Sequence, residues 1–355
     1  MASIIWRNYK GEEMNSLERI AATIRFRETD RIPVIAQVFG HAATLAGVSV
    51  DDYVRNGETL ARCQLNALKH YGYDAVFTVM DTSVETESIG SVLQYRRNQY
   101  PVIERYALSL DSDWNALAIP DPWRAGRMPE MLKAIGVLRR EVGNEVLVVG
   151  CTLGPFTLTS QLLGLETTLY LAVDDPERLG RLMDYATEVI IRFGQAQLKA
   201  GAHLPVVFDP SASPAVIPPK FFREFELPRL KRVFQAFVEA GSIANWLHIA
   251  GPVSPILPYY SAAGVHIANF DYNVPAMEAR NILPTMGLDG NIKSLMFVEG
   301  EPEEIEAEAL KLLQVFRNRG GFILSSGCEI PPESRPENVA AMVNVARASG
   351  GKCQN

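Results

Sequence analysis

Eight short apolar runs, separated by stretches of helical period, constrain this sequence more than any other feature. They cover residues 33–38, 75–80, 146–151, 205–208, 245–249, 266–270, 285–288 and 322–325. Each is nearly continuous in apolar residues, as strands buried on both faces should be. Strands that alternate with helices imply parallel strands joined by crossovers. Eight such units predict a single-domain α/β fold, a closed (β/α)8 TIM barrel, rather than an open sheet. The helices carry their own punctuation. Asn15-Ser16 caps a first helix, with Glu18 in its first turn. Asp175-Pro176-Glu177 opens a long helix that Gly201 ends, and residues 218–241 and 301–320 form two more. The connection between the second and third runs is long. Its segments 91–96 and 102–107 predict a hairpin lying over one end of the barrel. Residues 1–15 read as an N-terminal extension and 16–355 as one barrel domain, because no Pro/Gly/Ser linker divides the chain.

Charge and composition exclude several functions. Lys and Arg sum to 34 and Asp and Glu to 41, a net charge of −7. Nucleic acid and anionic membranes both require a positive surface field, so neither is an expected partner. No run of 18 apolar residues predicts a transmembrane helix. The N-terminus lacks the apolar core of a signal peptide. The four cysteines, Cys63, Cys151, Cys328 and Cys353, are scattered and form no CxxC pair. A soluble cytoplasmic protein is the expectation.

In a barrel of this kind, chemistry belongs to the C-terminal ends of the strands. The residues just after the runs are Gln37 and His41, Asp81 with Glu85 and Glu87, Cys151, Asp209, His248, Asp271, Asp289 with Asn291, and Cys328 with Glu329. Nearly every strand delivers a polar or ligand-type side chain to one face. His248 and Cys328 are the pair of most interest. Imidazole and thiolate are good zinc ligands, and catalytic zinc keeps three protein ligands and one open position. Asp271 is the candidate third ligand, with Asp209 and Glu329 in reserve. Asp81 and Glu85 are candidates for proton donation or substrate anchoring. Gln37, His41, Asp209, Trp246 and Tyr272 are candidate substrate contacts. Phe39, Trp246, Phe270 and Tyr272 lie near strand ends, where they predict an apolar aromatic pocket. His70 reads as a late helix residue that caps the helix or meets solvent, His203 and His266 as structural, and Cys151 as packing. There is no GxGxxG, no P-loop and no serine-hydrolase elbow.

These residues resemble the uroporphyrinogen decarboxylase superfamily, and within it the corrinoid-dependent methyltransferase branch typified by methylcobalamin:coenzyme M methyltransferases. The resemblance spans about residues 16–349. It rests on Arg31-Ile32-Pro33-Val34, on Met80-Asp81-Thr82-Ser83-Val84-Glu85-Thr86-Glu87-Ser88-Ile89-Gly90, on Leu247-His248-Ile249-Ala250-Gly251 followed by Pro255-Ile256-Leu257, and on Gly327-Cys328-Glu329-Ile330-Pro331-Pro332 followed by Pro336-Glu337-Asn338-Val339. It implies a barrel with zinc at its mouth, held by a His-x-Cys pair and a later Cys. His248 and Cys328 keep two of those positions, and Ala250 stands where the middle Cys is expected. Losing that sulfur implies either a more Lewis-acidic zinc, completed by an oxygen ligand such as Asp271, or no zinc.

The branch implies methyl transfer between a small methyl donor and a corrinoid. No His here has Asp two residues before and Gly three after, so the corrinoid is expected on a separate corrinoid-binding protein. The leading expectation is transfer to its cobalt from a small methylated substrate, such as a methoxylated aromatic, in an O-demethylase reaction. The reverse, methylation of a thiol of coenzyme M type, is the first alternative. A decarboxylase-like lyase is the second, and a ligand-binding barrel without the metal stands beside it. Ala36-Gln37-Val38-Phe39-Gly40-His41-Ala42 contains no Arg, which counts against a many-carboxylate tetrapyrrole substrate.

Overall fold

The computed structural model describes residues 13–350. Residues 1–12 of the expected N-terminal extension, and Cys353, lie outside the described residues. Ten strands follow one another along the chain. They are β1 (Val34–Ile35), β2 (Ala75–Phe77), β3 (Val92–Gln94), β4 (Val102–Arg105), β5 (Leu147–Leu153), β6 (Leu204–Phe208), β7 (Trp246–His248), β8 (Ile267–Asn269), β9 (Gly287–Ile292) and β10 (Phe322–Ser326). Eight of them form one parallel sheet in the order β1-β10-β9-β8-β7-β6-β5-β2, surrounded by helices. The expected (β/α)8 barrel is therefore the observed fold. Its strands are buried almost throughout because helices cover the outside and side chains fill the inside.

Between β1 and β2 no strand ladder forms among the described residues. Asp74 closes that seam. Its N–H donates to Val34 O at 2.9 Å, and its carboxylate accepts from Val34 N at 2.8 Å. The buried carboxylate is compensated by Arg19 at 2.7 Å, Arg31 at 2.8 Å and the Ser16 hydroxyl at 2.7 Å. Arg19 belongs to the helix Ser16–Thr23, which begins with the expected Asn15 cap in a capping box with Glu18.

Local chemistry places the other expected elements with shifted ends. The long helix Pro176–Ala200 is capped by Asp175 and stopped at Gly201, whose φ is 120°. The expected helix over 218–241 is interrupted by a π-helical turn, Phe222–Glu226, before Leu227–Glu239. The last of the three ends at Phe316 rather than 320. The hairpin forms from β3 and β4, antiparallel and apart from the barrel sheet. Three strands differ more. β1 and β2 stop at Ile35 and Phe77, each three residues short of the predicted end. β9 runs from Gly287 to Ile292, so Asp289 and Asn291 lie within the strand instead of after it. Asp289 is accommodated inside the barrel by the Asn269 amide, which donates to it at 3.1 Å.

Candidate functional site

A cavity of about 210 Å³ opens at the C-terminal ends of the strands. Phe39 comes from the segment after β1, and Val79, Asp81 and Thr82 from the segment after β2. Tyr100 and Pro101 reach in from the hairpin. Phe208 and Pro210 stand at the end of β6, His248 and Ala250 at the end of β7, and Cys328 and Glu329 after β10. The register Phe208↔His248 sets those two side by side, with ring centroids 4.6 Å apart. Phe39 packs edge-on against Phe208 at 6.0 Å. The wall is mainly apolar, and an engineered apolar void of ~150 Å³ already holds benzene.

His248 is buried, and neither ring nitrogen has a hydrogen-bond partner among the described residues. Burial pushes its imidazole down to about 3, so the ring is neutral. Burial pushes the Cys328 thiol up to about 11. Glu329 also faces the cavity, and burial pushes it up to about 7. Its Oε1 accepts from Tyr100 Oη and, at 3.3 Å, from Gly40 N. Tyr100 in turn accepts from Gly40 N at 2.7 Å, so the hairpin is latched to the segments after β1 and β10.

Asp81 is committed to a network that no local sequence pattern reveals. Arg127, 46 positions away, donates to both its oxygens through Nη1 and Nη2. The same guanidinium donates from Nε to Glu87 at 2.6 Å and from Nη1 to Val54 O at 2.9 Å. Ser83 N donates to Asp81 Oδ1 at 2.7 Å. Glu85 lies behind the cavity, buried, and accepts from Leu153 N at 2.8 Å. Desolvation pushes it up to about 7.

The remaining expected site residues sit outside the cavity lining. Gln37 donates to Ser326 O at 3.0 Å inside the wall. His41 is buried against the Tyr71 hydroxyl at 2.7 Å and Pro332 O at 3.3 Å. Trp246 is in the barrel interior, packed on Phe77 at 5.9 Å. Tyr272 is an exposed rim residue with Lys293 Nζ 5.5 Å from its ring centroid. Phe270 is core. Of the four aromatics expected to build the pocket, Phe39 lines it, joined by Phe208 and Tyr100. His203 and His266 each accept a backbone N–H, from Val148 at 2.9 Å and Asn245 at 3.0 Å, as structural histidines do.

Asp209 has a different partner from any expected. Its Oδ1 accepts from Thr157 N at 2.8 Å and Thr157 Oγ1 at 2.6 Å. Glu226, fully buried on the π-helical turn, lies beside it. Two buried carboxylates side by side do not both ionise readily, so burial and the charge of Asp209 push Glu226 well up. Gly154 makes room for the pair, because a Cβ there would stand 2.2 Å from Asp209 Cγ.

The zinc expectation is tested by these placements. His248 and Cys328 do line one cavity, and the bare imidazole nitrogens are of the kind a metal takes. Asp271 is not in the lining, and its Oδ1 is occupied by Asn273 N at 3.0 Å and Nδ2 at 2.8 Å. Asp209 is held by Thr157 and Glu226, and Glu329 by Tyr100. Among the described residues, no three His, Cys, Asp or Glu side chains gather closely enough to hold a metal ion. As arranged, the residues do not make a three-ligand zinc site.

The uroporphyrinogen decarboxylase (URO-D) family matches residues 15–349, and the chain belongs to that family. Among its relatives, methylcobamide:CoM methyltransferase MtaA of Methanosarcina barkeri is 28% identical over 92% of this chain and 95% of its own. A uroporphyrinogen decarboxylase of Syntrophotalea carbinolica is 29% identical over 81% of this chain and 83% of its own. A solved structure of a methyltransferase from Methanosarcina mazei superposes with a TM-score of 0.86 at 27% identity, covering 95% of this chain and 99% of that one. No helix among the described residues is long and apolar enough to cross a membrane.

Proposed function

We propose that this chain is a corrinoid-dependent methyltransferase that moves a methyl group from a small methylated compound to the cobalt of a separate corrinoid protein. The observation that carries the reading is the apolar cavity at the barrel mouth, lined by both His248 and Cys328, in a chain so similar to methyltransferases. The corrinoid supplies a nucleophilic metal centre. This chain's residues hold the donor, keep water away and stabilise the leaving group. The cavity walled by Phe39, Val79, Phe208 and Pro101 is large enough in volume for an aromatic ring, so methoxylated aromatics are the first donors to try. An ether oxygen leaves poorly unless it is protonated. Burial holds Glu329 at about 7, so near neutrality it is divided between its carboxylate and a protonated form that can give up a proton, and its Oε2 is the oxygen left free by Tyr100 and Gly40. That proton passes to the departing oxygen as the methyl–oxygen bond breaks. Ala250 favours this direction, because a thiol acceptor is best activated by a sulfur-rich zinc site.

The test is to incubate the protein with reduced cobalamin and a panel of methoxylated aromatics, following the spectral conversion of cobalamin to its methylated form. Turnover is expected, with Glu329→Gln slower by about 10²-fold or more. Methylation of a thiol by methylcobalamin, with no ether demethylation, would reverse the direction.

A further inference from the structure

The charges around the cavity bear on which methyl donors can enter. Two lining residues are carboxylic acids, Asp81 and Glu329, and among the described residues no Lys or Arg lines it. The nearby cation, Arg127, stands behind Asp81 and is committed to Asp81, Glu87 and Val54 O. Phe39, Val79, Pro101, Phe208, Pro210 and Ala250 supply apolar wall. An anionic group entering here sheds its water, meets no positive partner and lies beside two acids. An uncharged ring loses little on leaving water and gains burial. A cation finds aromatic faces and acids.

We propose that the site selects methyl compounds without a negative charge, and that Asp81 and Glu329 are the residues that exclude anions. Sulfonate-bearing thiols such as coenzyme M, which appears in the names of several similar proteins, are excluded with them. The proposal rests on the methyl-transfer reading and names the class of its substrate.

Binding tests it independently of turnover. The full chain is titrated calorimetrically at pH 7.5 with 4-methoxybenzyl alcohol, 4-methoxybenzoate, 4-methoxybenzylamine and 2-mercaptoethanesulfonate. The alcohol is expected to bind, the amine within about threefold of it, and both anions at least about 30-fold more weakly, given the cost of an unpaired buried charge. An anion within threefold of the alcohol overturns the proposal, as does failure of the alcohol to bind at millimolar concentration. Asp81→Asn releases Arg127 toward the cavity, and Glu329→Gln removes an acid. Each is expected to narrow the gap between alcohol and benzoate. A merely structural role would weaken all the rings alike, and an unchanged gap in both variants would refute the charge account. The predicted preference without methyl transfer to reduced cobalamin would defeat the methyl-transfer reading and leave this one standing.

Discussion

Glu85 shows how a single side chain records its surroundings. It is buried behind the mouth with one backbone donor, and desolvation pushes it up to about 7 from an ordinary 4.5. Between those values the folded chain keeps a proton that the unfolded chain has shed. Stability from this group is therefore lost as pH rises from about 4.5 to about 7, and is level above that, a loss of about 3 kcal/mol. Glu85→Gln keeps the acceptor for Leu153 N and removes the titration. Its melting temperature relative to wild type should climb across that window and then plateau. A constant difference between pH 5 and pH 8 would show that Glu85 is not the titrating group. The identity of such residues was legible in sequence, but their state was not. Asp81 reads as a candidate acid beside a strand, yet its partner Arg127 lies 46 positions away, beyond any local pattern.

Helical periodicity over 218–241 is present in the sequence, but the extra residue of the π-turn at Phe222–Glu226 is not. That turn sets Glu226 against Asp209, and such turns are often found at functional sites. One proton shared between two buried acids predicts an asymmetry between variants. Glu226→Gln supplies an N–H to Asp209 and should leave the melting temperature at pH 8 unchanged or higher. Glu226→Ala leaves a void and an unpaired acid and should cost about 2–4 kcal/mol. Equal losses in the two variants, measured by thermal denaturation, would refute the shared proton. β9 extends beyond its apolar run for a similar reason. Gly287, Asp289, Gly290 and Asn291 have turn chemistry locally, and only neighbouring strands with Asn269 to meet Asp289 make them a strand.

For the whole molecule, alternation of apolar runs and helices was enough to specify the barrel, because the period and number of units are encoded in local hydrophobicity. The way it closes was not. β1 and β2 meet through Asp74, a residue with no sequence signature, held by Arg19 and Arg31. Asp74→Ala removes the acceptor for Val34 and leaves two cations short of a partner. A loss of about 3–5 kcal/mol is expected, read as a lower urea midpoint. An unchanged midpoint would show that the seam holds without the carboxylate. The clasp also has a place in time during synthesis. All its members, Ser16, Arg19, Arg31, Val34 and Asp74, have left the ribosome by the time residue 74 has. The opposite edge of β1 waits for β10, whose residues begin at Phe322. The first strand is thus anchored early and sheltered late, and its free edge needs protection through most of translation.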